Sequence, residues 1–313
     1  MSEKIATRDA YGEALLELGK KNEDIVVFDA DVGSSTRVKH FAGEFPERFF
    51  QMGIAEQNMV GTAAGMATCG KIPFVSTFAV FGTARVADQV RNSIAYPNLN
   101  VKIAVTHAGI TVGEDGATHQ AIEDIGIMRS IPNMTVIVPG DAVEAKEVVK
   151  AAAEYDGPVF MRFTRGGVPV VFDEEEYEFK WGKVMPIREG SDLTIFATGV
   201  MVGEALDAAN RLKEEGIEAE VVNVHTIKPI DVEGVIASAK KTGAVVTAEE
   251  HNIYGGLGSA IAEVLGENHP VPMKRVGVKD TFGRSGGPEE LMDYFEISAE
   301  HVMSAAKEVL KRK

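Results

Sequence analysis

The sequence predicts an α/β protein with two doubly wound domains, each built on a mainly parallel sheet. Apolar runs without polar alternation, such as residues 25–28, indicate strands that are covered on both faces, as in a parallel sheet. Segments with helical periodicity separate these runs, and such strand–helix alternation is typical of doubly wound folds. The chain has 313 residues, a length that favours two domains over a single core.

The first predicted domain, residues 1–170, alternates strands and helices along its whole length. In order, the pattern predicts a helix capped by Thr7 and ending near Lys20, strand 25–28, helix 56–69, strand 73–78, helix 84–95, strand 101–106, a helix from about residue 121, strand 134–138, a helix capped by Asp141, and strand 158–163. Because ligands bind at the carboxyl ends of strands in such folds, residues that follow the strands are candidates for a site.

The second predicted domain, residues 191–313, is smaller and follows a linker at 171–190. The acidic run 173–176 and the Trp181-Gly182 pair indicate this linker. The domain is predicted to contain strand 193–197, helix 202–215, strand 218–224, helix 231–240, strand 244–248, a helix from the Gly-rich turn 255–258 to about Leu265, strand 273–276 and a final helix 299–311.

Composition and charge narrow the classes of partner. The formal net charge of −15 argues against nucleic acid or a membrane surface as the main partner. The single cysteine, Cys69, excludes an intramolecular disulfide framework and is expected to be a core residue of helix 56–69. Residues 1–7 lack the apolar region of a signal peptide, and no apolar run reaches membrane-spanning length, so the protein is expected to be cytoplasmic.

Glu56 is the one charged residue between positions 52 and 70, and it lies at the start of a predicted helix. Two interpretations are open. It can be an acid that satisfies the helix dipole and the free N–H groups, which its position alone favours. It can also be a buried carboxylate whose desolvation favours the protonated form, which would make it a proton donor to a bound ligand.

Polar groups follow two other predicted strands. Asp31 and Ser35 come after strand 25–28, and His107 follows strand 101–106 directly. Asp115 and His119 then lie in a glycine-rich loop, where backbone can approach a ligand and where histidine is expected to titrate in the physiological range. A single histidine at a strand end is more often structural, and the three ionisable groups together leave a structural and a catalytic role equally supported.

Four motifs carry a family resemblance: GIAEQN at 53–58, STFAVF at 76–81, THAGITVGEDGATHQ at 106–120 and DGPVFMRFTRG at 156–166. With them the chain resembles, nearly end to end, the pyrimidine-binding and C-terminal domains of transketolases. Several thiamine diphosphate enzymes share the first motif alone, whereas its combination with the third is highly specific.

The resemblance implies roles for the residues at the reacting centre. Glu56 would be the acid that hydrogen-bonds the aminopyrimidine ring of thiamine diphosphate and thereby activates the cofactor. Phe78 and Phe81 match aromatic positions that pack on this ring, although their i, i+3 spacing by itself favours ordinary core burial. Asp31 matches a polar residue that borders the cofactor. His107 and Asp115 match residues that contact the sugar near the reacting carbons.

The phosphate of the sugar substrate would be held by residues from several elements. The matching positions are Arg8, Ser35, His119 and Arg165, and arginine supplies charge-assisted hydrogen bonds to phosphate. Arg162 would support the site without touching a ligand.

The chain also departs from the family. Ala84 stands where a further aromatic residue is usual, and THAGITVG replaces a commoner THDS pattern. The family's motif for Mg²⁺ and the diphosphate, Gly-Asp-Gly followed by Asn, is missing, so this chain is expected to hold no metal ligand. Both groups would be bound by a separate N-terminal subunit.

The leading hypothesis is therefore the C-terminal subunit of a split transketolase, a transferase that moves a two-carbon ketol unit from a ketose phosphate to an aldose phosphate. The resemblance implies an α2β2 assembly with the N-terminal partner. A deoxyxylulose-phosphate synthase-like chain is an alternative that His107 disfavours. A 2-oxo acid dehydrogenase E1 β-subunit is disfavoured by the GEDGATHQ loop, and a non-catalytic interaction subunit by the presence of the cofactor and sugar residues.

Overall fold

The computed structural model describes residues 3–313 and confirms the predicted α/β class. The strands within these residues are β1 (Lys4–Ala6), β2 (Ile25–Asp29), β3 (Phe49–Gln51), β4 (Ile72–Phe78), β5 (Lys102–Thr106), β6 (Thr135–Ile137), β7 (Val159–Arg162), β8 (Gly167–Pro169), β9 (Met185–Arg188), β10 (Leu193–Ala197), β11 (Ala219–Asn223), β12 (Thr226–Lys228), β13 (Val245–Asn252) and β14 (Met273–Val278).

Helices follow most of these strands. The α-helices are α1 (Thr7–Lys21), α2 (Gly33–Thr36), α3 (Lys39–Glu44), α4 (Glu56–Thr68), α5 (Ala79–Gly82), α6 (Ala87–Gln89), α7 (Asp124–Ser130), α8 (Ala142–Glu154), α9 (Met201–Glu214), α10 (Val232–Thr242), α11 (Leu257–Asn268), α12 (Pro288–Tyr294) and α13 (Ala299–Leu310). Shorter 3-10 segments span Pro46–Arg48, Ala84–Val86 and Ile110–Asp115, and a π-helical segment spans Val90–Ala95. None of the helices in the described residues is long and apolar enough to cross a membrane.

The first sheet has seven strands in the order β12-β6-β7-β5-β4-β2-β3. All neighbouring pairs are parallel except β12 and β6. In its register Asp29 is opposite Ser76, and Phe78 is opposite Thr106. The carboxyl ends of β2, β4 and β5 therefore lie side by side, which brings the loops that follow them to one edge of the sheet.

The second sheet has five strands in the order β14-β13-β10-β11-β9, parallel except for β9 against β11. β9 lies inside the predicted linker 171–190, and β12, from the second half of the chain, completes the edge of the first sheet. β1 and β8 form a separate antiparallel pair. One apolar cluster also runs from the first sheet, through Phe160, to Phe196 and Leu257 of the second half. The two halves of the chain are thus joined by β12, which completes the first sheet, and by a common apolar core.

Two expectations about helix ends are wrong, and one is confirmed. Helix α1 begins at Thr7, but this residue does not cap it, because its hydroxyl accepts the N–H of Thr164 at 2.7 Å. Cys69 is exposed, because α4 ends one residue earlier and its buried stripe stops at Ala64. Asp141 caps α8 as predicted, accepting the N–H of Glu144 at 2.9 Å.

Candidate active site

Glu56 is the first residue of α4 and is only 3% exposed. Its surroundings are not purely apolar as the sequence suggests, because the Arg85 Nη1 atom lies 2.7 Å from its Oε1 atom. The guanidinium of Arg85 also lies over the ring of Phe81, 4.2 Å from the ring centroid. Ala84, where the family usually has an aromatic residue, is exposed, and the neighbouring Arg85 borders that open position.

Phe78 and Phe81 stand at the carboxyl end of β4, with ring centroids 6.0 Å apart. Both are only partly buried, and neither belongs to an apolar core cluster. Phe78 stacks on the imidazole of His107 at 3.9 Å, and Phe81 meets His119 edge-on at 5.4 Å. Their helical spacing therefore reflects a shared aromatic wall at the sheet edge and not burial in the core.

His107 directly follows β5 in a left-handed backbone conformation, with φ +56°, and is 3% exposed. Arg8 Nη1 lies 3.2 Å from its Nε2 atom, and Thr106 Oγ1 lies 2.8 Å from its Nδ1 atom. Arginine can only donate, so Nε2 accepts and the ring proton is assigned to Nδ1, which donates to Thr106.

This imidazole does not titrate in the physiological range. Burial, with the nearby positive charges of Arg8 and Arg165, lowers the pKa of His107 to about 3. The sequence-based expectation is wrong because it did not account for the desolvation of the ring and for the cations packed around it. His107 is thus a neutral hydrogen-bonding group at pH 7.

Arg8 and Ser35 are brought together from different elements. Arg8 is in the first turn of α1, and its Nη1 atom donates to the backbone carbonyl of Ser35 at 3.0 Å. The Nε atom of Arg8 is buried and has no hydrogen-bond partner among the described residues. The guanidinium of Arg8 thus joins the short helix α2, which follows β2, to His107, which follows β5.

Arg165, predicted to bind phosphate, folds against the glycine-rich loop. Its Nη1 atom donates to the carbonyl of Val112 and lies 3.4 Å from a carboxylate oxygen of Glu114 and 3.7 Å from one of Asp115. Both acidic side chains are exposed. Arg165 and Asp115 are therefore neighbours, as a shared site requires.

Residues from the second half of the chain hold the glycine-rich loop in place, and the sequence did not predict these contacts. Glu250, in β13, accepts the backbone N–H of Thr111 at 2.6 Å. Gln120 donates its amide to the carbonyls of Ile110 and Gly113 and to that of Arg284, at 2.9–3.1 Å. A carboxylate and a loop that are 130 residues or more downstream thus fix the backbone that carries Asp115 and His119.

Arg162 is buried, and it contacts Glu250, the residue that binds this loop. It pairs with Asp124 at 2.6 Å and donates to the backbone carbonyl of Glu250 at 2.9 Å. Because both partners are themselves buried, these contacts suit a residue that supports the site and does not bind a ligand.

Asp31 is placed differently from the other candidates. Its side chain is exposed, its φ is +62°, and its backbone N–H donates to the Gln51 side chain at 2.9 Å. Gln51 in turn donates to the buried carboxylate of Asp29 at 2.6 Å. Asp31 therefore precedes the short helix α2 that contains Ser35, but its contacts are with residues on the β3 side of the sheet.

Six of the predicted residues, together with Arg85, form a chain of contacts that runs through Glu56, Arg85, Phe81, Phe78, His107, Arg8 and Ser35. A buried carboxylate linked through Arg85 to two aromatic rings offers the kinds of group that the aminopyrimidine half of thiamine diphosphate needs. Among residues 3–313, no group of three or more His, Cys, Asp or Glu side chains is arranged to hold a metal ion.

Comparisons with known proteins show the family of the chain. The family model of the transketolase pyrimidine-binding domain matches residues 3–170, and the family model of the transketolase C-terminal domain matches residues 182–302. A putative transketolase C-terminal section from Methanocaldococcus jannaschii is 52% identical over 307 residues, which cover 97% of this chain and 96% of that protein. A 6-deoxy-6-sulfo-D-fructose transketolase subunit from Clostridium sp. is 49% identical over 306 residues, covering 98% and 95%.

A solved structure with the same fold is described as a split gene transketolase, an inactive β4 tetramer. It is 54% identical to this chain and superposes with a TM-score of 0.92. The match covers 98% of this chain and 99% of that one.

Proposed function

The chain belongs to the transketolase family, and we propose that, joined to an N-terminal partner subunit, it transfers a two-carbon ketol unit between sugar phosphates with thiamine diphosphate. The observation that carries the proposal is the placement of a buried carboxylate, Glu56, on the same sheet edge as the His107–Arg8 pair. The aromatic wall of Phe78 and Phe81 connects the two.

Glu56 would hold the aminopyrimidine ring, and the two phenylalanines would pack against its face. When bound, thiamine diphosphate supplies the electron sink for breaking and making the carbon–carbon bond. Glu56 has to direct a carboxyl oxygen at the ring, and this oxygen is bonded to Arg85 at 2.7 Å in the structure. Arg85 is 44% exposed, so its side chain can swing away from Glu56 toward solvent.

His107 and Asp115 would orient the sugar. Because His107 is neutral and its Nδ1 proton is held by Thr106, its Nε2 side is the one that faces other groups. Arg8 donates to that nitrogen, and this fixes the ring against Phe78. Both ring nitrogens are bonded in this structure, so a sugar hydroxyl would bind Nε2 in place of Arg8, and the neutral ring would carry no charge into the site.

The anionic end of the substrate would bind to Arg8, Arg165, Ser35 and His119. Charge-assisted bonds from guanidinium groups suit a phosphate. They also suit a sulfonate, and a second candidate substrate is therefore a 6-deoxy-6-sulfo sugar, which the name of the 49% identical Clostridium subunit favours. Ketol transfer is the same in both cases.

The N-terminal partner would supply the Mg²⁺ and diphosphate site, since the sequence lacks the family's motif for it. The 54% identical split gene transketolase is described as an inactive β4 tetramer, and this supports the need for a partner. We place the assembly, an α2β2 complex, in the cytoplasm.

Contact between two copies of this chain is supported by one face of α4. Gly61 and Gly65 are exposed, and open space lies above both of them. Ile54, two residues before α4, is 78% exposed, and Tyr96, which directly follows the π-helical segment, is 85% exposed. A close helix approach flanked by large apolar side chains suits a subunit interface.

The test is to reconstitute this chain with an N-terminal transketolase subunit that carries the Gly-Asp-Gly and Asn motif, which is to be sought first in the neighbouring reading frame. Calorimetry with thiamine diphosphate and Mg²⁺ should show tight binding only for the mixture, and ketol transfer should appear with it. Micromolar binding together with turnover by this chain alone would contradict the need for a partner. A mixture that binds the cofactor but transfers no ketol unit from either donor would contradict the activity.

A further inference from the structure

Arg37 is a cation beside the proposed anion site to which the family motifs give no role. It follows the short helix α2, and its Nη1 atom donates to the carbonyl of Ser34 at 3.3 Å. Arg8 donates to the next carbonyl, that of Ser35, at 3.0 Å. Two guanidinium groups therefore bind successive carbonyls of one turn, and they lie side by side.

The packing of α1 against this turn explains why Arg37 lies there. Gly12 is one helical turn after Arg8, and a Cβ atom at Gly12 would stand 2.5 Å from the Cβ atom of Arg37. Glycine thus lets the backbone of Arg37 lie directly on the face of α1 that carries Arg8. Arg37 itself has φ +73°, a conformation that is unfavourable for a side chain of this size and that occurs preferentially at functional sites.

Arg37 lies near other positive charges, although its own charge is partly offset because it pairs with Asp9, a partly exposed carboxylate on α1. Arg8 and Arg165 lie close enough to interact with each other, and burial together with the charge of Arg37 lowers the pKa of Arg8. Three guanidinium groups that repel one another gain more from a doubly charged ligand than from a singly charged one.

We propose that Arg37 is a specificity-determining residue, the third guanidinium of the anion site, and that it favours a phosphate dianion over a sulfonate monoanion. This inference rests on the proposed function, because it assigns the anionic end of the substrate to the same site. A phosphate monoester carries close to two charges above pH 7, whereas a sulfonate carries one. Each further guanidinium then discriminates between them.

The test compares two ligands that differ at this end, D-fructose 6-phosphate and 6-deoxy-6-sulfo-D-fructose. Calorimetry at pH 8 measures the dissociation constant of each for the reconstituted complex without thiamine diphosphate, and kinetics of the complete enzyme measure KM and kcat. In Arg37→Asn, affinity for the phosphate should fall about tenfold and affinity for the sulfonate less than threefold. Asparagine is chosen because it tolerates the left-handed backbone.

Arg211→Ala is the matched control, since Arg211 pairs with Asp207 at 2.5 Å on the exposed side of α9, in the second half of the chain. It should change neither dissociation constant. Arg37→Lys should keep part of the preference for phosphate, and a thermal melt should show that each variant is folded.

Equal losses for both ligands in Arg37→Asn, or no loss for either, would overturn the role of Arg37. If Arg8→Ala lost affinity in the same experiment, the proposed anion site would survive that result. If the wild-type complex bound neither ligand, the proposed function would fail, and the role of Arg37 with it.

Discussion

The carboxylate of Glu56 lies 2.7 Å from the guanidinium of Arg85, which comes 29 residues later in the chain. The proposed function assigns the same carboxylate to the aminopyrimidine ring of the cofactor. Arg85 also covers the face of Phe81, which is assigned to that ring as well. Arg85 and the cofactor would therefore compete for both groups, so cofactor binding requires the Arg85 side chain to move.

Glu56→Gln tests the role of this carboxylate. Glutamine keeps the volume and can still accept a hydrogen bond from Arg85, but it supplies no acid, so ketol transfer should fall by a factor of roughly 10² or more. The measurement is ketol transfer by the reconstituted complex, with a thermal melt as the control for folding. Turnover close to that of the wild type would leave Glu56 as an acid that stabilises the start of α4.

His107 predicts a pH dependence of stability. Its pKa is about 3 in the folded chain and about 6.5 in an unfolded one, so between these values only the unfolded state binds the proton. The free energy of unfolding should therefore fall as the pH drops below 6.5, by about 1.4 kcal/mol per pH unit from this residue. Chemical denaturation at pH 7 and pH 5 measures it.

In His107→Gln this part of the pH dependence should be absent, so the loss of unfolding free energy between pH 7 and pH 5 should be about 2 kcal/mol smaller than in the wild type. His40 is exposed, so His40→Gln serves as the control and should keep the wild-type dependence. An unchanged dependence in His107→Gln would mean that the imidazole is not held neutral by its surroundings.

Replacing Gly109 by alanine tests whether the second half of the chain holds the glycine-rich loop in place. Its φ is +77°, and a Cβ atom there would lie 2.1 Å from the carboxyl carbon of Glu250. Gly109→Ala should displace this carboxylate from the N–H of Thr111 and destabilise the protein by roughly 2–4 kcal/mol. The measurement is the free energy of unfolding, with hydrogen exchange of residues 109–115 as a local readout.

Gly43→Ala is the control for that change. Gly43 lies in α3 with open space around it, and alanine there should be neutral or stabilise by about 0.5–1 kcal/mol. Similar stabilities for the two variants, with unchanged exchange in the loop, would show that Glu250 does not hold it.

The sequence predicted what depends on local pattern. Unbroken apolar runs located β2, β4 and β5, and the polar residues that follow them located the edge on which Glu56 and His107 lie. Cys69 was misplaced because helical periodicity does not say where a buried stripe ends. Arg85 and Glu250 were missed because their importance arises from contacts with residues that are distant in sequence, Glu56 and Thr111, and no local pattern encodes such pairs. The low pKa of His107 has the same origin, since it depends on how deeply the folded chain buries the ring.

The last prediction separates sugar-phosphate chemistry from the chemistry of donors without an anionic tail. Arg165→Ala removes a guanidinium from the proposed phosphate site, and the loss of one charge-assisted bond should raise KM for a ketose phosphate roughly ten- to a hundredfold. The value of kcat should fall much less, because the phosphate is remote from the reacting carbons and binds alike in the ground and transition states. For hydroxypyruvate, a donor that lacks the phosphate, KM should hardly change.

The structure adds a control for this experiment, because Arg165 also holds the loop through the carbonyl of Val112 and lies 3.4 Å from Glu114. Glu114→Gln removes the neighbouring charge and leaves Arg165 in place, so KM for the ketose phosphate should stay the same or fall. If Arg165→Ala impaired both donors equally, Arg165 would act by holding the loop and Asp115. A phosphate-binding role requires that the two donors respond differently, since only one of them carries the group that Arg165 is proposed to bind.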